Sequence, residues 1–477
     1  MADPADAAAP SLPAAPRGRF WSDVREALRG SEQDFTQGSI GRSILLLAIP
    51  MVLEMALESV FAVTDVFFVG RLGPDAVAAV GLTESMLTLV YALAMGLGIG
   101  TTAVVARRIG EKDREGAATA AVQAILLGIA GAVVLGSLGV AFAPRLLALM
   151  GASPDVLRIG SSYTRVMLGG EATIVVIFVV NAVFRGAGDA AIAMRVLWLA
   201  NAINIVLGPC LIFGVGPFPQ LGVTGAAVAT TIGRGTGALY AISRLLGPGS
   251  RVPVCRRHLR LDLQVMRTVG RLSGSGAFQS IVGMASWIGL VRIVSTFGSQ
   301  ALAGYTIGIR MIVFALLPSW GMSNAAATMV GQALGARNPD RAERAVWRAC
   351  AYNLAFLVAI GIGFVVFARP IVSAFTNDPV VLEYGTDCLR IVAAGFPFYA
   401  YGMVLSQSFN GAGDTTTPTW LNLIVFWLWE LPLAWVLAVS LGMGPRGAFL
   451  AVAIAFSTLA VAAGAIFRRG KWKQVVV

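Results

Sequence analysis

The sequence predicts an all-α polytopic membrane protein: twelve transmembrane helices in two six-helix lobes related by a pseudo-twofold axis. Three observations carry this expectation. The chain has 477 residues, of which 57% are hydrophobic and only 13% charged, with a mean hydropathy of +0.76; a soluble globule of this size carries about twice that share of charge. Apolar spans of roughly 20–30 residues recur, each long enough for a bilayer. They lie at about 43–69, 77–105, 118–143, 161–183, 192–215, 223–246, 270–294, 301–330, 343–367, 387–408, 418–441 and 446–467. Finally, the chain repeats itself at an offset of 225. VFRGAGDAA (183–191) matches SFNGAGDTT (408–416), GLGIGTTAVVARRIGEKDREGA (96–117) matches GMSNAAATMVGQALGARNPDRA (321–342), and RLGPDAVAAVG (71–81) matches TFGSQALAGYT (296–306). Six spans is an even number, so both halves have the same orientation and an axis along the membrane normal, with a site between or within them.

The elements follow in chain order. Residues 1–18 are rich in Ala and Pro, which favours disorder, and lack the basic and apolar regions of a signal peptide. From Arg19 to Gly30, Phe20, Val24 and Leu28 recur every four residues beside Trp21; the segment reads as a short interfacial helix or a soluble linker helix. Domains are placed at 1–35 (disordered or interfacial N-terminus), 36–250 (N-lobe) and 251–477 (C-lobe with a basic tail). Net charge is +11. On the assigned topology 26 of the 36 Lys and Arg fall on the side of the termini, 7 on the other, and Arg234, Arg292 and Arg310 within spans. That asymmetry places both termini in the cytoplasm and accounts for the basic excess without nucleic acid. Cys210, Cys255, Cys350 and Cys388 form no CxxC pair, so neither a zinc site nor a disulfide framework is indicated. The only histidine, His258, lies in CRRHLR and reads as a solvated loop residue. With no clustered acid/base machinery, the chain is not expected to be an enzyme.

The first span carries the chemistry. Ile44 to Gly70 is about 27 residues, roughly 40 Å as a helix, and contains Glu54, Glu58 and Asp65. At about 100° per residue, Glu58 lies about 40° and Asp65 about 20° from Glu54, so the three acids share one stripe. A carboxylate facing lipid costs at least about 2.5–3.5 kcal/mol. The stripe therefore lines a wet cavity as a proton or cation site, or it is a buried polar ladder that packs helices. Glu84 in span 2 lies at a depth similar to Asp65; two close carboxylates would raise each other's proton affinity. Asn181, Asn201 and Asn204 add amide oxygens, and Asn201 and Asn204 share a face; interhelical hydrogen bonding is the plainer role for Asn201. Glu171 and Glu430 are weaker candidates, with Arg234, Arg292 or Arg310 as possible partners. Pro50 stands four residues before Glu54 and can bend the stripe toward or away from the cavity.

The halves differ where it matters. Glu54, Glu58 and Asp65 correspond to Gln279, Gly283 and Leu290, and Asn201 and Asn204 to Phe426 and Trp429. The second half is aromatic, with Phe396, Phe398, Tyr399, Tyr401, Phe426, Trp427 and Trp429. This division suggests ion coupling in the first half and an aromatic surface for bulky cations, Tyr399 and Trp429 included, in the second or between the halves. Lipid contact is the alternative for each aromatic taken singly.

Two six-helix halves, VTDVFFVGRLG in the first span, RGAGD and NGAGD after spans 4 and 10, and ARRIGEKDREGA and GQALGARNPDRAERA after spans 2 and 8 together resemble the multidrug and toxic compound extrusion (MATE) transporters over about residues 36–468. The set in this order is specific, though no single motif is. The match looks closest to the DinF-like and NorM-like prokaryotic branches. The resemblance implies export of amphipathic or cationic small molecules in exchange for H⁺ or Na⁺ by a rocking of two lobes. It implies no cofactor beyond that ion, a monomer in contact with membrane lipid, and a bacterial or archaeal cytoplasmic membrane. It carries the helix-1 acid onto Asp65 and amides onto Asn181 and Asn204, which would hold Na⁺ together if that is the ion. A helix-5 acid of the DinF-like branch falls on Gly208, and the helix-7 and helix-10 acids of the NorM-like branch are missing; Glu54, Glu58 and Glu84 are candidates to replace them. The rival reading is a lipid-linked saccharide flippase of the same superfamily. Such proteins have a strongly cationic cavity and often fourteen spans.

Overall fold

The computed structural model describes residues 18–31 and 33–477; the side chains at 18–20, 62, 63, 65 and 66 also lie outside the description. The expected disorder of the first residues falls outside it. A surface helix, α1 (Gly18–Arg29), precedes the rods α2 (Ile40–Gly70), α3 (Pro74–Gly110), α4 (Arg114–Leu149), α5 (Pro154–Gly169) with α6 (Glu171–Ala187), α7 (Ala190–Phe213) and α8 (Val223–Leu246). The second set is α9 (Leu263–Ser295), α10 (Ser299–Gly335), α11 (Pro339–Ser373), α12 (Pro379–Ala394) with α13 (Phe396–Ala412), then α14 (Thr416–Asn422) and α15 (Leu431–Trp435), and α16 (Pro445–Arg468). A wider π-helical stretch at Leu423–Glu430 joins α14 to α15, and a second at Val436–Ser440 extends α15, making one rod.

Among the described residues ten helices are long and apolar enough to cross a membrane, and eleven if α12 and α13, bent by 58°, make one span. The twelfth expected span is α8. It is diluted by Gly, Thr and Arg234, and the glycines have a packing reason. A Cβ on Gly225 or Gly233 would overlap the α7 backbone at Leu211 or Ala200, so α8 lies against α7 at the close distance that small residues allow.

The sequence repeat is also a backbone repeat. α3 and α10 both have 37 residues, α5 and α12 both 16, α6 and α13 both 17, α8 and α16 both 24. Helix caps recur in register: Asp113 and Asn338, then Ser153 and Asp378, accept hydrogen bonds from the first turns of α4, α11, α5 and α12, satisfying amides the helix leaves open. Even two non-glycine residues at positive φ, Lys112 (62°) and Arg337 (56°), are repeat mates.

The lobes meet near the face that carries the termini. A Cβ on Gly96 would overlap Ala277 N and Ser273 O, and one on Gly110 or Gly335 would overlap Gln332 O or Arg107 O. Thr328 Oγ1 donates to Arg185 O (3.1 Å) and Gln332 Nε2 to Gly186 O (2.9 Å) across the same seam. Further from the termini the contact ends; a Cβ on Gly283 or Gly81 would meet nothing within 4 Å. The gap between the lobes therefore opens away from the termini.

α1 is tied to α2 at the terminal face: Arg42 pairs with Asp23 (2.9 Å) and Glu26 (2.5 Å), Ala27 is buried and Trp21 is 72% exposed. Phe20 lies outside the described side chains. His258 is buried rather than solvated. Its Nδ1 accepts from the Cys255 amide and its Nε2 meets Glu115 at 2.8 Å, which ties the inter-lobe linker to α4.

Candidate functional site

α2 is shared between the lobes. Its first turns (Ile44, Leu47, Ala48, Met51) are buried in a core with Ala325, Met329, Val346 and Phe409 of the second lobe. Beyond Pro50 the helix turns its acids to the first lobe. Glu54 is 1% exposed and accepts from Arg185 Nη1 on α6 at 2.8 Å. One turn on, Glu58 accepts from Asn201 Nδ2 on α7 at 3.0 Å. Arg185 occupies the last turn of α6, where a cation also meets the negative end of the helix dipole.

Glu54, Glu58 and Arg185 lie on the wall of a cavity of about 250 Å³ between the lobes, with Asn201 behind Glu58 and off the wall. Glu54, Glu58, Asn181 and Arg185 come from the first lobe, and Trp320, Asn324, Gln407 and Asn410 from the second. Asn181 is 1% exposed, and among the described residues its Oδ1 has no hydrogen-bond partner; Asn410 Oδ1 and Glu54 Oε2 are likewise buried and without one. Buried polar oxygens without partners are costly, and three around one cavity make it a place that favours a donor or cation. Arg185 and Asn410 are repeat mates, from RGAGD and NGAGD, and both reach the floor. Sequence reasoning treated those motifs as helix ends and missed Arg185, Asn324, Gln407 and Asn410; the repeat itself was the available signal.

Other candidates are placed elsewhere. Asn204 Nδ2 donates to Thr230 Oγ1 on α8 at 2.6 Å, so this amide ties α7 to α8 and does not line the cavity. A Cβ on Gly208 would lie 3.7 Å from Asn204 Oδ1, an ordinary contact. Glu84 is exposed on α3 and is not on the cavity wall. α2 leans on α7 and α10 far more than on α3. The α2 backbone carries Asp65 as helix, but its side chain lies outside the description, and with it the expected pairing to Glu84.

The arginines do not pair with Glu171 and Glu430 as expected. Arg234 Nη2 donates to Tyr91 OH (2.9 Å), and Arg292 and Arg310 are exposed. Glu171 is 1% exposed at the α5–α6 break, and among the described residues neither of its oxygens has a hydrogen-bond partner. Tyr399 and Glu430 line a second cavity in the second lobe, whereas Trp429 does not line it and is 44% exposed.

A model of the MatE family matches residues 50–210 and 275–436, two stretches whose starts are 225 apart. The chain is 27% identical over 445 residues to the probable multidrug resistance protein NorM of Thermotoga maritima, covering 92% of this chain and 94% of that protein. It is also 27% identical over 425 residues to a Shewanella oneidensis protein named FAD transporter, covering 87% and 91%. Among solved structures, the outward-facing conformation of a multidrug resistance MATE family transporter of the MOP superfamily superposes with a TM-score of 0.86. It is 26% identical and covers 92% of this chain and 98% of that one.

Proposed function

The chain belongs to the MatE family, and on that premise we propose that it is a secondary antiporter that exports amphipathic, cationic small molecules in exchange for H⁺ or Na⁺. With both termini in the cytoplasm of a bacterial or archaeal cell, the gap that opens away from them faces outward. The observation that carries the reading is the different fate of two acids on one stripe. Glu54 is locked to Arg185, whereas Glu58 is held on the cavity wall by a neutral amide. A carboxylate held by an amide can exchange a proton or a cation without breaking an ion pair. We place the coupling ion at Glu58 and, further along the same stripe, at Asp65, with Asn181 beside the floor. Binding of the ion and of the substrate would favour opposite openings of the lobes, which is what coupling requires. Homologues named for multidrug resistance support this reading. The saccharide flippase is disfavoured because Arg185 is the one basic residue among those lining the cavity, and Glu54 neutralises it.

The test is efflux of ethidium from proteoliposomes under an imposed pH or Na⁺ gradient. One gradient should drive wild-type efflux, and Glu58→Gln and Asp65→Asn should each abolish it while remaining folded. Normal efflux by both variants would remove the stripe from the mechanism. Because α2 bridges the lobes on either side of Pro50, Pro50→Ala should slow coupled efflux and alter its pH profile. If rate and profile both match wild type, Pro50 is no hinge.

A further inference from the structure

A second cavity of about 350 Å³, lined mainly by the second lobe, shares Met95, Ile99, Leu317, Trp320 and Gln407 with the first. Its chemistry is different. Six aromatic side chains line it: Trp287, Tyr305, Trp320, Tyr399, Phe426 and Phe456. One ionisable acid joins them. Glu430 is 97% buried by its 3% exposure, lies on the cavity wall, and has neither hydrogen bond nor ion pair among the described residues. Among the described residues no Lys or Arg lines this cavity. Three more polar atoms on the wall are without partners: Tyr305 OH, Gln279 Oε1 and Ser406 Oγ.

The repeat explains how the site arises. In the first lobe Glu58 is held by Asn201; their mates are Gly283 and Phe426, and both line this cavity. Removing the side chain at 283 leaves open space, since a Cβ there would meet nothing within 4 Å. Replacing the amide by Phe426 supplies an aromatic face. The charge reappears on the neighbouring rod, at the end of the π-helical stretch Leu423–Glu430, a distortion that re-aims side chains and recurs at functional sites.

We propose that this cavity binds a monovalent organic cation with an apolar or aromatic body, with Glu430 as its counter-charge and the determinant of charge selectivity. Aromatic faces attract such a cation, and Glu430 gains the partner that the fold withholds. An anion would be repelled by Glu430. A zwitterion would find no basic group for its negative end. A divalent metal ion would need six or more oxygens, where this wall is mainly rings. The inference rests on the reading of the chain as an exporter and adds where, and by which residue, the exported cation is held.

The experiment is equilibrium binding of radiolabelled tetraphenylphosphonium to the purified full-length protein in detergent, without any gradient, with tetraphenylborate as a probe of the same shape and opposite charge. Wild type should bind the cation and discriminate strongly against the anion. Glu430→Gln should weaken cation binding at least about tenfold and flatten that discrimination, with Glu430→Asp retaining it. Gly283→Phe, which fills open space and leaves Glu430 intact, should block binding as well. Wild-type affinity in both Glu430→Gln and Gly283→Phe overturns the site, as does loss of binding in Glu58→Gln alone, which would put the cation in the first cavity. No binding by wild type overturns it too. Efflux does not enter this assay. Binding that depends on Glu430, with no gradient-driven efflux by wild type, would leave the site and remove the antiporter; efflux with binding indifferent to Glu430 would do the reverse.

Discussion

Arg185→Ala should lower the stability of the folded protein by about 3–5 kcal/mol, the range for breaking a buried ion pair from one side. Glu54 is 1% exposed, and its second oxygen already lacks a partner. Removing the guanidinium leaves the carboxylate buried and uncompensated. Glu54→Gln should be milder, because an amide can still accept from Arg185. The pair replaced as a unit, Glu54→Leu with Arg185→Met, should be neutral or stabilising by about 1–4 kcal/mol, since both desolvation costs vanish together. Thermal unfolding of the purified variants in detergent reads all three. An Arg185→Ala variant that melts with wild type would mean that water, not Arg185, solvates Glu54. The double variant also separates stability from transport: a stable but inactive protein would give the ion pair a functional role as well.

Gly96→Val should displace the equilibrium between the two openings of the lobes by at least about tenfold. The new Cβ would fall inside the van der Waals radii of Ala277 N and Ser273 O, both backbone atoms on α9. No side-chain rotation relieves such an overlap, so the seam has to part. The expected consequence is exposure of the cavity floor toward the terminal face. In a variant lacking the four native cysteines, a single Asn324→Cys reports it: a membrane-impermeant thiol reagent applied from the cytoplasmic side should label Cys only when Gly96 is also replaced. Gly274→Val is the control on the neighbouring face of α9, where a Cβ would meet nothing within 4 Å; labelling there should stay at the background level. Equal labelling with and without Gly96→Val would show that the seam at Gly96 does not govern access.

Much of the architecture was legible in the residues. Apolar length gave the rods, because a bilayer sets a minimum span, and α8, the least apolar of them, was legible at 223–246 despite the glycines that bring it against α7. The 225-residue offset predicted a backbone that repeats down to Lys112 and Arg337 in the same left-handed conformation. The stripe of Glu54 and Glu58 was legible as well, because a 3.6-residue period fixes which side chains share a face of their own helix.

What that period cannot fix is which helix the face will meet. Glu54 found Arg185, from a motif that reads as a helix end, and Glu58 found Asn201; Asn204, one turn on from Asn201, went instead to Thr230. Glu84, which the sequence puts at the depth of Asp65, stands outside the cavity. Trp429 and Glu430 are adjacent in sequence, yet only Glu430 lines the cavity. The sequence by itself determined the number of spans, the twofold repeat and the polar inventory, since each is set by local length, register and composition. The tertiary structure alone decided which acids are paired, which amides face the cavity and where the lobes part. Those outcomes depend on helix rotation and neighbour order, set by backbone contacts such as those at Gly96, Gly233 and Gly335, far apart in the chain.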